Sequence, residues 1–185
     1  MSDLDEELVR YRTLAFLVHR AKERALGAPF DKYVSDLGIP ALRKKNVDRK
    51  GALEEHFDTV EQTLFEQYLL RLMAVFERLA FERLSAAVGA ARTAVEDNYP
   101  DRSPFARAAK HLVKNLADDL TTLADIEKLL ASYPQAASKD LQELREHRNW
   151  IAHGGRVGRQ SRFSRIEDVH KSLTELLDII QTQDG

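Results

Sequence analysis

From Ala52 to Asp97 the sequence holds a helical period over more than forty residues. Leu53, Phe57, Val60, Leu64, Tyr68, Leu72, Val75, Leu79 and Ala86 recur every three or four positions. That spacing puts apolar side chains on one face of an α-helix. Asn98-Tyr99-Pro100 closes the run, since the residue before a proline is pushed out of the helical region. The sequence allows either one helix or two, broken between Ser85 and Gly89. A helix this long projects from a small bundle, and projecting helices often serve dimers.

The rest of the chain is read around that helix. Ser2 and Asp3 can cap a first helix to about Leu26, stopped by Gly27, with the stripe Leu4, Leu8, Tyr11, Leu14, Ala15, Val18 and Ala21. GAPFDKYVSDLGIP follows as a turn-rich stretch with one short helical piece, then the basic connector ALRKKNVDRKG. Ser103-Pro104 is a cap with a first-turn proline, opening a helix to about Leu116. Another helix runs from about Asp119 to Ser132, and Ser138 caps one that ends at Gly154-Gly155. Ser164-Arg165-Ile166-Glu167 reads as a capping box opening the last helix.

No stretch alternates as a strand does, and there are only eight glycines and five prolines. The expected fold is therefore all-α, an up-and-down helical bundle of about five to six helices including a long central helix. Residues 1–50 form an N-terminal helix and basic connector, and 51–185 the bundle, with the N-terminal helix packed on it. The expected core is Leu112, Leu116, Leu123, Ile126, Leu130, Leu141, Leu144, Ile151, Leu173 and Leu177.

Several function classes drop out on composition. Net charge is −2, so any nucleic-acid binding rests on a local patch. There is no cysteine, which removes disulfides, thiolate zinc sites and cysteine nucleophiles and fits a reducing cytoplasm. The acidic start MSDLDEELVRYR does not read as a signal peptide, and no run approaches the ~18 apolar residues of a membrane span.

One helix breaks its own pattern. At about 100° per residue, Leu141, Leu144, Ile151 and Ala152 form an apolar face, and Arg148 falls inside it. Asn149 and His153, four apart, stack on the adjoining side, with Arg145 between and Trp150 nearly opposite. An arginine on a buried stripe needs a carboxylate, a cleft or a ligand. One answer is an acid on a neighbouring helix, such as Asp118, Asp119 or Asp125. The other is a phosphate. Arg156, Arg159, Arg162 and Arg165 follow, and no acidic residue occurs from His147 to Ile166, a cationic window suited to phosphates unless it is simply a solvated loop.

RNWIAHG resembles the Arg-polar-x-x-x-His signature of HEPN domains, the helical domains of many prokaryotic toxins, abortive-infection proteins and CRISPR-associated ribonucleases. The context matches as well: a penultimate helix, Asn after Arg, Ala before His, Gly after it, and one more amphipathic helix. The resemblance covers the chain from Ser103 onward, and the first ~50 residues lie outside it.

What the resemblance implies is a metal-independent endoribonuclease without a cofactor, its site shared across a homodimer. Arg148 and His153 would be the catalytic pair and Asn149 the residue that orients them. Arg145, Arg156, Arg159, Arg162 and Arg165 would hold the RNA. The role would lie in toxin or antiviral defence in the cytoplasm, with a neutralising antitoxin or other defence protein as a further partner. Gly155 stands where some toxin members carry a tyrosine modified by a partner nucleotidyltransferase, so that kind of control does not transfer. Two other readings stay open: an inactive HEPN module that binds nucleotide or a protein, and a structural bundle whose Arg148 satisfies a buried acid.

Competing sites carry less. His147 and His153 are six apart, unlike the four-apart pair that ligates metal from one helix face. His19, His56, His111 and His170 are isolated, and Asp118-Asp119 with Asp125 read as helix surface. Arg43-Lys44-Lys45 with Arg49-Lys50 reads either as a contact for RNA or an acidic partner, or as a solvated loop.

Overall fold

A computed structural model describes residues 2–27, 37–39, 42, 48–98, 103–131 and 135–181. The short piece expected after Gly27, most of the basic connector, and Tyr99-Pro100 fall outside these residues. Among the described residues the protein is all-helical: α1 Asp3–Gly27, α2 Arg49–Asn98, α3 Pro104–Asp119, α4 Leu123–Leu130, α5 Gln135–Ala152 and α6 Ile166–Gln181. The long period is one helix of 50 residues, unbroken through Gly89. No described helix is long and apolar enough to cross a membrane.

The chain divides into two compact units, Met1–Leu70 and Arg71–Gly185, with the boundary inside α2. In the first unit, Ala25, Ile39, Leu53 and Phe57 form a buried cluster, packed by Val18, Ala21, Leu26, Leu37 and Leu42. Of the α1 stripe, Leu4 and Leu8 are buried, Tyr11, Ala15, Val18 and Ala21 are half-buried, and Leu14 is exposed. Lys22 ties α1 to α2 at 2.7 Å from Asp58 and 3.4 Å from Glu61, and Tyr11 meets Tyr68 edge to face.

In the second unit, α2 contributes Leu72, Met73, Phe76 and Ala80 to the core. Leu123, Ile126 and Leu130 of α4, Leu141 and Leu144 of α5, and Ile166, Val169, Leu173, Leu176 and Leu177 of α6 are also buried. α5 packs on both α4 and α6. The Arg83 guanidinium donates to the Leu177 carbonyl at 2.6 Å, tying α2 to α6.

Several local expectations need correction. Leu112 and Leu116 are not core: they are 68% and 43% exposed. α3 instead turns Lys110, Val113 and Lys114 toward Ser85, Val88, Gly89 and Arg92 of α2, around a cleft of about 630 Å³. Ile151 is only half-buried. α5 begins at Gln135, three residues before the expected Ser138 cap. Ser164 makes no capping bond among the described residues. The Arg165 carbonyl instead accepts from the backbone N–H of Asp168 and Val169 at 3.2 and 3.3 Å. The Ser103-Pro104 start stands as read, with Ser103 Oγ accepting from Phe105 N–H.

Candidate functional site at the end of α5

α5 ends in a Schellman motif. Gly155 N–H bonds the Trp150 carbonyl at 2.8 Å and Gly154 N–H bonds the Ile151 carbonyl at 3.1 Å. Gly154 takes φ +59°, the left-handed position that glycine occupies without steric cost. This geometry makes His153 the C-cap residue, exposed at the mouth of the helix. Gly155 brings its backbone against Trp150: a Cβ added there would lie 3.3 Å from the indole Nε1.

Arg148 lies at the end of the apolar face and is not buried in it. Its side chain is 39% exposed. The residue α5 buries in that stretch is His147, 3% exposed, three positions after the core residue Leu144. Arg148 is close in angle to Leu141 and Leu144, but it lies past Leu144 near the end of α5, where His147 is the one residue still buried. Arg148 Nη2 lies 3.6 Å from Glu77 on α2, too long for a hydrogen bond. Of the acids expected for it from sequence, Asp125 is engaged by Thr122 and Lys128 instead.

Asn149 and His153 stack one turn apart, joined by the His153 N–H to Asn149 carbonyl bond at 3.0 Å. Neither side chain bonds another described residue. The helix end therefore presents an exposed imidazole beside a half-buried amide and a half-exposed guanidinium.

The cationic window takes a different form in three dimensions. Arg145 bonds Glu127 at 2.9 Å, joining α5 to α4. Arg159 Nε lies 2.7 Å from Glu146. Arg162 bonds Asp140 and lies 3.6 Å from Glu143. Arg165 is 3.8 Å from Glu167. Only Arg156 of the five has no acid partner among the described residues. The acids Asp140, Glu143 and Glu146 lie just upstream on α5, and the loop folds back over them. Gly158 makes the approach close: at φ +83°, a Cβ there would stand 2.2 Å from the Glu146 carbonyl oxygen. Ser161 Oγ completes the contact, 2.8 Å from His147 Nδ1.

Sequence reasoning missed Glu77, the three α5 acids and Ser161. The acids had a legible signal, since 140, 143 and 146 fall on one side of the helix. No group of three or more His, Asp or Glu among the described residues is placed to hold a metal ion.

The fold defines the protein as all-α. Comparison takes it no further: no family model matches the chain, and no curated protein or solved structure does either.

Proposed function

We propose that this chain is a metal-independent endoribonuclease of the HEPN type, with Arg148, Asn149 and His153 as its reacting set and a second copy completing the site. One observation carries the reading: at the open end of α5, an exposed His153 and a half-buried Asn149 have no side-chain partners among the described residues, beside a guanidinium held only loosely by Glu77. An arginine so placed keeps its hydrogen-bond donors for a phosphate.

The chemistry follows from these groups. The ribose 2′-oxygen attacks the adjacent phosphorus, forming the new O–P bond as the P–O5′ bond breaks. An imidazole takes the 2′-hydroxyl proton, and the leaving 5′-oxygen gains one, since histidine titrates in the range that allows both. Arg148 compensates the charge on the pentacoordinate phosphorus. The products are a 2′,3′-cyclic phosphate and a 5′-hydroxyl, and DNA lacks the nucleophile. One histidine serves two proton transfers poorly, which is the argument for a homodimer contributing two. A role in toxin or antiviral defence, cytoplasmic location and a neutralising partner protein belong to the same proposal by analogy alone.

The test is incubation of the purified chain with RNA in EDTA, reading products by mass. Cyclic-phosphate ends, absent in Arg148→Ala and His153→Ala, support the reading. RNA left intact, or cleavage surviving both substitutions, overturns it.

A second reading has its own observation. Four of the five surrounding arginines already have acid partners, as expected of a helical module that binds a protein or nucleotide without turnover. It predicts a retained ligand or partner and no cleaved RNA.

A further inference from the structure

The loop after α5 is folded onto the acids of its own helix, and the two sides of that contact differ in burial. The side chains of Asp140, Glu143 and Glu146 are 21%, 14% and 23% exposed, while those of Arg159 and Arg162 are 66% and 56% exposed. The carboxylates lie under the loop, and the guanidinium heads remain in water with donors to spare. Glu143 Oε2 is buried and accepts no hydrogen bond among the described residues, so Arg162 is the counter-charge that makes its burial tolerable.

We propose that this loop is an electrostatic latch, in which Asp140, Glu143 and Glu146 occupy Arg159 and Arg162 in place of the phosphates of a single-stranded nucleic acid. The latch rests on the reading above that the loop meets phosphates. Carboxylate and phosphate oxygens compete for the same forked donors. Ion pairs with mostly exposed arginines are weak individually. A strand that presents several phosphates and releases its counterions displaces them together, whereas a single phosphate does not. Taking Arg162 leaves Glu143 without compensation, so the latch sets an affinity threshold that only a polyanion crosses. Gly158 is the seat of the latch, because only a residue without Cβ lets the loop backbone rest on α5 at Glu146.

The experiment measures binding of a 2′-deoxy single-stranded oligonucleotide, which cannot be cleaved by 2′-hydroxyl attack. Two variants open the latch by different means. E143Q/E146Q removes two of the three competing charges, freeing Arg159 and leaving Arg162 with Asp140 alone, and Gly158→Ala pries the loop away without changing charge. Each is expected to bind the oligonucleotide about threefold tighter or more. The gain is expected to vanish when Arg159 and Arg162 are also replaced by Gln. Trp150, the single tryptophan, lies against Gly155 at the root of the loop and reports the release: its emission should shift when the parent protein binds, and be shifted already in both variants.

Unchanged affinity in the variants overturns the latch. So does a gain that survives loss of the two arginines, because it then reflects net charge alone. If Gly158→Ala does not fold, the E143Q/E146Q comparison with and without the arginines decides. Cleavage is scored separately: tightening without RNA cleavage in the parent keeps the latch and removes the nuclease, and cleavage without tightening does the reverse.

Discussion

His147 Nδ1 lies 2.8 Å from Ser161 Oγ, joining the buried side of α5 to the loop that follows it. With 3% of its surface exposed and its ring beside Trp150, His147 is a packing residue carrying a polar tie. His147→Ala removes that tie and leaves a cavity, at a cost of about 2–3 kcal/mol. Asn149→Ala, on the open side of the same helix, should cost no more than about 0.5 kcal/mol. Urea unfolding of the two variants beside the parent measures both. Equal costs would mean that His147 does not hold the loop.

The residues proposed to react should behave in the opposite way. Arg148 is only loosely paired and His153 is exposed, so Arg148→Ala and His153→Ala should each change stability by less than about 1 kcal/mol. Each should lower RNA cleavage by about a hundredfold or more, the usual contribution of a proton-transfer group or of a preorganised charge at the reacting phosphate. If Arg148→Ala melts the fold instead, its contact with Glu77 is a structural ion pair and the catalytic assignment fails.

How far the sequence could be read depended on whether each feature was local. The long helix, the Ser103-Pro104 start and the Gly154 stop are written in neighbouring residues, and each stands where local chemistry puts it. Arg148 shares its angle with the buried leucines, but a wheel carries no information along the axis, and past Leu144 near the end of α5 the burial is left to His147. The cationic window failed as a free surface for a different reason. No acid occurs within it along the chain, but the loop reverses and lands on Asp140, Glu143 and Glu146. Periodicity gives the face of a helix and does not say where the chain returns to.

The start of α4 carries the clearest pH dependence. Asp125 reaches back to Thr122, accepting from its hydroxyl at 2.7 Å and its backbone N–H at 2.9 Å, and sits 3.2 Å from Lys128 Nζ. The Thr122 hydroxyl bond, then the one from Lys128, lowers its pKa from 3.8 to about 2. A depressed folded-state value means the contribution is fully present above the unfolded value and is lost as pH falls toward the folded one. Asp125→Asn should therefore lower the melting temperature at neutral pH, and the difference from the parent should shrink between about pH 4 and pH 2. A constant gap over that range would mean that the charge on Asp125 does not contribute.

α3 offers the sharpest test of the fold. By its pattern Leu112 should have been core, yet it is 68% exposed, and Phe105 and Leu116 of the same stripe are exposed as well. The opposite side, with Lys110 and Lys114, lines the cleft against α2. Stability therefore separates two leucines that look equivalent in sequence. Leu144→Ala empties a fully buried site and should cost about 2–5 kcal/mol. Leu112→Ser should fall within about 0.5 kcal/mol of the parent, since a side chain already in water loses little on replacement. Chemical denaturation at low protein concentration measures both. A cost for Leu112→Ser approaching that of Leu144→Ala would show that α3 turns this stripe inward in solution.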